Sequence, residues 1–232
     1  MAVPLSPVEI EALRKISTPT MSNAIETFNV RPRNEGFMDS SVRCIFPELG
    51  VMVGYAYTLT IRASREEASP SPLDVWGAVL EVPEPRVVVI QDLDAPNPVG
   101  SYWGEVNGNI HKALGCVGTV TNGGVRDLDE VRELGFHFFA SCVLVSHAYV
   151  HVVEFGKPVR VGGLTVRPGD LIHADQHGVL LVPPEIARDL PKAAADFEAK
   201  EREIIGFCQS PEFSPRKLLE LRIQQLRQSS ET

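Results

Sequence analysis

Apolar and polar positions divide the chain into segments of clear period. Over 6–16 apolar residues recur at helical spacing, with Ser6 placed to cap and Pro7 at the first helical position. "TPTMSNAIETF" predicts a second short helix, and "NVRPRNEGFMDSS" a loop. "GVMVGYAYTLTIR" is rich in β-branched and aromatic residues and predicts a strand. After the polar loop "REEASPSP", "PLDVWGAVLEV" predicts a helix opened by proline, and "PRVVVIQDL" a strand buried on both faces. A helix over 104–114, a strand "CVGTVT" ending at Thr121, a helix "RDLDEVRELG" closed by Gly135 and a strand "FHFFAS" follow. This alternation marks a parallel α/β layer.

From Pro158 the pattern changes. "KPVRVGGLTVRPGD" predicts two short strands around a type I′ Gly-Gly turn, and "DLIHADQHGVLLVP" a second strand pair. Residues 184–207 read as a long helical stretch interrupted or kinked near Pro191, and "PRKLLELRIQQLRQ" as a charged tail helix. There is no internal repeat and no clear linker. The expected architecture is an α/β domain over 1–209 with a helical tail over 210–232.

Composition narrows the classes of function. The 232 residues suffice for a sizeable core, and 44% hydrophobic with 22% charged residues is ordinary for a soluble globular chain. A net charge of −8 argues against nucleic acid and anionic membranes as partners. No secretory signal and no apolar run of about 18 residues is visible. Cys44, Cys116, Cys142 and Cys208 are widely spaced, and three lie among apolar residues. They read as buried free thiols, which suits a cytoplasmic protein.

The chemistry concentrates in "TNGGVRDLDE". Here a strand ends, glycines allow a tight turn, and a helix begins beyond the carboxyl end of a predicted strand, where α/β sheets collect ligands. Helix N-terminal amides suit an anion. Arg126 offers a planar fork for a carboxylate, and Asp127 a hard oxygen for a divalent cation. Each residue also has a plain structural reading, Asp127 as a helix cap and Arg126 as a surface charge. "VGSYWGEVNGNIHKALG" repeats the theme, with Gly100 and Gly104 before a helix and Glu105 just inside it. Two histidine pairs, His147 with His151 and His173 with His177, have i, i+4 spacing. The valines around His151 favour a strand, and no H-E-x-x-H is present, so these read as structural histidines. Walker, G-x-G-x-x-G and G-x-S-x-G motifs are absent.

"WGEVNGNIHKALGCVGTVTNGGVRD" followed by "GGLTVRPGDLIHADQHGVLLVP" resembles the RraA-like family, which includes class II 4-hydroxy-4-methyl-2-oxoglutarate aldolases and a regulator of ribonuclease E. "STPTMSNAIETF" and "VGYAYTLTI" extend the resemblance over roughly 15–190. The resemblance implies an α/β fold of the swivelling β/β/α type, assembled as a homotrimer or homohexamer with sites between subunits. It implies a pyruvate aldolase using Mg²⁺ or Mn²⁺ on a 2-oxo acid, with oxaloacetate decarboxylation as a companion activity. Arg126 then binds the substrate carboxylate, Asp127 the metal directly and Glu105 the metal through water, while Gly104, Glu105, Val106 and Asn107 line the substrate. Glu198, Glu201 or Glu203 completes a neighbouring subunit's site. Asn122 stands where many members carry aspartate. Two alternatives stay open: a non-catalytic regulatory binding protein, and a lyase for another 2-oxo or sugar acid.

Overall fold

The computed structural model describes residues 3–230. Two helices open it. α1 (Pro7–Arg14) begins with a complete capping box: the Ser6 side chain accepts from the Glu9 amide, and the Glu9 carboxylate accepts from the Ser6 amide. α2 (Thr18–Glu26) is capped by Ser17. β1 (Arg43–Cys44) precedes the 11-residue β2 (Met52–Arg62), and α3 (Pro72–Leu80) leads to β3 (Arg86–Asp92). α4 (Glu105–Ala113), β4 (Cys116–Thr121), β5 (Gly124–Val125), α5 (Leu128–Leu134), β6 (His137–Ala140) and β7 (Cys142–Val143) form the middle. β8 (His151–Phe155), the hairpin β9 (Val159–Val161) and β10 (Leu164–Val166), and the hairpin β11 (Leu171–Asp175) and β12 (Gly178–Val182) follow. Two helices, α6 (Leu190–Cys208) and α7 (Pro215–Ser230), close the chain.

The main sheet has the order β1-β6-β4-β3-β2-β11-β12. β2, β3, β4 and β6 are parallel, so the fold is mixed α/β as the alternation predicts. β2 is long enough to serve two partners along its other edge: Met52–Tyr55 pair with β11, and Leu59–Arg62 pair with β8. The two-residue Gly162–Gly163 turn has φ of 52° and 75°, the positive values that a type I′ hairpin demands.

Both faces of β3 are covered, which is why its sequence is continuously apolar. Val88 and Ile90 pack with Val75, Val79, Trp103, Val131 and Phe138, toward the helices. Val87 and Val89 pack with Val159, Val161 and Val166 of the β9–β10 hairpin. Full burial of each such side chain contributes about 1.5–3 kcal/mol. A third apolar cluster joins α1, α2 and α6 to β11 and β12.

Three expectations need correction. The stretch over 184–207 is not a kinked helix: α6 starts at Leu190, and Pro191 lies in its first turn, where its missing N–H costs nothing. The predicted helix from Arg126 starts instead at Leu128, because Asp127 takes a left-handed backbone, φ 55° and ψ 50°, that a right-handed helix cannot include. Of the cysteines only Cys116 is fully buried; Cys44 and Cys142 are partly buried and Cys208 is exposed, and all four are free. No helix among the described residues is long and apolar enough to cross a membrane.

Burial also sets an acid limit on stability. It pushes the imidazoles of His111 and His137 down to about 4 from 6.5, and that of His173 down as well. At His111 and His137 the unfolded chain takes up a proton below pH 6.5, whereas the folded one resists to about 4. Stability is therefore full above 6.5 and is lost as pH falls through that window, by up to about 1.4 kcal/mol per pH unit for each group. Urea midpoints measured from pH 7 to 4.5 should fall, and His137→Gln should flatten the slope. An unchanged slope would reject this assignment.

Candidate functional site

Because β2, β3 and β4 run in parallel, their carboxyl ends at Arg62, Asp92 and Thr121 lie along one edge. The chain beyond β4 is tied down there. The Asn122 side chain accepts from the Asp92 amide at 2.7 Å and donates to the Asp92 carbonyl at 3.2 Å, joining the ends of β3 and β4. β5 then pairs in parallel with β7, and Val125 also bridges Trp103. The Arg126 amide donates to the Trp103 carbonyl at 3.3 Å. Thus the Gly-Gly-Val-Arg-Asp stretch lies against the segment that opens α4.

Asp127 has φ 55° and ψ 50°, a left-handed conformation uncommon for a residue other than glycine. It precedes α5 but makes no side-chain capping bond there, unlike an ordinary N-cap. Its carboxylate instead crosses to α4, where Oδ2 accepts from the Glu105 amide at 3.0 Å. The helix whose positive end faces Asp127 is therefore α4 rather than the α5 that follows it in sequence. The amides of Val106 and Asn107, in the same first turn, have no acceptor among the described residues. The Asn107 side chain points back, donating to the Tyr102 carbonyl at 2.5 Å, so only its backbone faces this turn.

Two arginines show opposite designs. Arg86 is 7% exposed and directs its guanidinium to the Val82 and Leu114 carbonyls and the Glu84 carboxylate, a structural arrangement. Arg126 has a side chain 36% exposed, and its nearest charged partner is Asp127 Oδ2, at 3.9 Å from Nε. It makes no side-chain hydrogen bond among the described residues, so its fork of donors is open to a ligand.

Gly104 makes this closeness possible. A Cβ there would lie 2.4 Å from Asp127 Oδ2 and 3.3 Å from Arg126 Nε. Gly104→Ala should push the carboxylate off the Glu105 amide while leaving the core intact, since the clash is with a side-chain tip. A hydrogen bond to a charged group contributes about 1.5–3 kcal/mol, which the Asp127–Glu105 contact would lose; with the turn disordered, binding of oxalate, a small dicarboxylate probe for the open Arg126 fork, should weaken. Calorimetric titration with oxalate, beside a thermal melt, checks this; unchanged affinity would show that the contact is dispensable.

Sequence reasoning placed Gly104, Glu105, Val106, Asn107, Arg126 and Asp127 as the site, and the fold brings these six together. Glu198, Glu201 and Glu203 of the same chain make no contact with these six among the described residues. They are exposed on α6, which packs on α1, α2 and α7, and Glu203 accepts from Gln225 at 2.7 Å. No group of three or more His, Cys, Asp or Glu side chains able to hold a metal is assembled among the described residues. One carboxylate with a second acid at the adjoining helix start fits a sparsely ligated hard cation that keeps its waters. It does not fit a closed zinc site.

Sequence reasoning missed Ser101 and Asp92. Ser101 lies between the two glycines of "GSYWG", and its hydroxyl reaches Gly124. Asp92 is 1% exposed, with Oδ1 accepting from the Asp94 amide and Oδ2 without a partner among the described residues. Burial pushes its carboxyl above the usual range. The Ser101 contact joins distant segments and Asp92 is set apart by its burial, so the only local hint is an aspartate ending a strand of valines.

The family model for RraA-like proteins, described as Aldolase/RraA, matches residues 18–181. A protein from Halalkalibacterium halodurans, provisionally named 4-hydroxy-4-methyl-2-oxoglutarate aldolase, is 26% identical over 205 residues, covering 84% of this chain and 88% of that one. An uncharacterized protein from Pseudomonas syringae shares the fold with a TM-score of 0.73 at 21% identity, over 97% of each chain. A Streptomyces coelicolor protein, described as an unusual member of the RraA family of ribonuclease inhibitors, has a TM-score of 0.67 at 25% identity, over 86% of this chain and 97% of that one.

Proposed function

This chain belongs to the RraA-like, Aldolase/RraA family, and from that premise we propose that it is a divalent-metal-dependent pyruvate aldolase. It cleaves a 4-hydroxy-2-oxo acid, such as 4-hydroxy-4-methyl-2-oxoglutarate, to pyruvate and a second carbonyl compound. The observation that carries this reading is the pairing of uncommitted donors with a carboxylate at one turn. The Arg126 guanidinium and the Val106 and Asn107 amides lie beside Asp127 at the start of α4.

In this mechanism Arg126 takes the substrate's C1 carboxylate in a charge-assisted fork. The α4 amides and the helix dipole add positive potential on the same side. The C4 hydroxyl loses its proton, the C3–C4 bond breaks, and its electron pair passes to the 2-oxo group, giving an enolate that is protonated at C3. Asp127, with Glu105 through water, would hold Mg²⁺ or Mn²⁺, which supplies Lewis-acid stabilisation of developing oxyanion charge. Arg126 keeps the carboxylate fixed while charge migrates, so its contact is preorganised rather than formed during reaction. Loss of CO₂ from oxaloacetate yields the same enolate and is the expected companion activity. In this reading the chain forms a homotrimer or homohexamer, and Glu198, Glu201 or Glu203 enters a neighbour's site.

The Asp127–Glu105 hydrogen bond also caps α4, which favours a second reading, a regulatory binding protein without catalysis. A panel of 4-hydroxy-2-oxo acids and oxaloacetate, with Mg²⁺ or Mn²⁺ and coupled pyruvate detection, separates the two. Metal-dependent pyruvate release supports the aldolase; no pyruvate from any member, with metal bound, supports the regulator.

A further inference from the structure

Two segments distant in sequence make the site, and something must set their separation. The first, 101–105, delivers the start of α4; the second, 124–127, delivers Arg126 and Asp127. Ser101 opens the first segment and reaches the second, and it is 2% exposed. Its Oγ is 2.6 Å from the Trp103 carbonyl and 2.8 Å from the Gly124 carbonyl, and it accepts from the Trp103 amide at 3.1 Å. One hydroxyl proton is shared between two carbonyls while a lone pair takes the amide, so the donor is fully committed and the oxygen is held from both segments. The same Trp103 carbonyl receives the Arg126 amide at 3.3 Å. A single hydroxyl therefore touches both segments, two residues from Arg126 on one side and three from Gly104 on the other. Trp103 cannot yield to a shift, because its ring is wedged against His111 at 4.8 Å and Phe136 at 5.3 Å between centroids.

We propose that Ser101 is a positioning residue, whose buried hydroxyl holds the Arg126 fork in register with the Gly104–Glu105 start of α4. The role rests on the aldolase reading for its kinetic consequence, but its structural consequence stands apart from it. Without the hydroxyl, the Gly124 carbonyl loses its side-chain donor and the Trp103 amide its side-chain acceptor, and only the backbone bridge between Trp103 and Val125 holds the two segments in register. Ser101 touches no substrate; it acts through the placement of Arg126.

The test uses the full-length protein with Ser101→Ala, and Ser101→Cys as a near-isosteric variant with a weak donor. Amide exchange is read first, because it needs no activity. In Ser101→Ala the Arg126 amide should exchange at least tenfold faster, while amides of β2 and β3 stay unchanged, and Ser101→Cys should fall between. Steady-state kinetics on a substrate found by the panel comes second. Ser101→Ala should lower kcat/KM tenfold or more in the parent background, and much less when Arg126 is already alanine, because the two act through one contact. Unchanged Arg126 exchange overturns the proposal, as does an equal fold-loss in both backgrounds, which marks a general structural effect. If the parent releases no pyruvate from any substrate, the aldolase reading fails, and the exchange result alone decides whether Ser101 holds the register.

Discussion

Arg126→Ala is expected to lower kcat/KM for pyruvate release by roughly 30- to 1,000-fold, corresponding to about 2–4 kcal/mol of lost transition-state stabilisation. Arg126 is one-third exposed and its side chain donates to no protein acceptor among the described residues, so removing it breaks only a long 3.9 Å ion pair. Exposed pairs of that kind contribute at most about 1 kcal/mol. The unfolding temperature should therefore stay near the parent's while activity collapses, and oxalate binding should weaken in parallel. Arg126→Lys should recover only part of the loss, because an ammonium cannot present the planar two-donor fork. Activity of Arg126→Ala within twofold of the parent would remove the residue from the site.

The second large effect concerns Asp127 and the metal. Chelation with EDTA should abolish activity, and either Mg²⁺ or Mn²⁺ should restore it, as expected of a site with one direct carboxylate and exchangeable waters. Asp127→Asn is the sharper probe. The amide oxygen of asparagine still accepts from the Glu105 N–H, so the cap on α4 survives, but the negative charge is gone. A loss of 100-fold or more with an unchanged melt would assign the carboxylate to the metal. Full activity would leave Asp127 as the cap alone. Mixing Asp127→Ala subunits with subunits altered at Glu198, Glu201 and Glu203 tests the shared site. Partial recovery is expected where an interface unites intact halves; no recovery despite subunit exchange means each chain builds its own.

Much of this was legible before any coordinates. Helix and strand periods are legible where burial is regular: the Ser6 cap on α1, the doubly buried β3, and the Gly162–Gly163 turn with both φ values positive. The resemblance over roughly 15–190 agrees with the family match over 18–181. The candidate residues were named because glycines, an arginine and an aspartate fall together at the end of a strand. Errors arose where a local signal had two outcomes. Pro191 is compatible with a kink or with a first turn, and only the packing of Leu190 and Ala194 against the α1–α2 layer starts the helix there.

What the sequence determined by itself was therefore the kind of chain and the short-range vocabulary of its site. Periodicity sets which face of each element is apolar, and glycine placement sets where the backbone can turn tightly. Tertiary structure decided which group meets which. Asp127 serves α4, 22 residues upstream, rather than the α5 beside it, because its left-handed backbone releases its carboxylate from the helix it precedes. Asn122 locks onto Asp92 across 30 residues, and Ser101 onto Gly124 across 23. These contacts exist only after β3 and β4 pair and Trp103 is buried between them and the helices. No periodicity along the chain encodes a hydrogen bond whose two ends meet through the sheet.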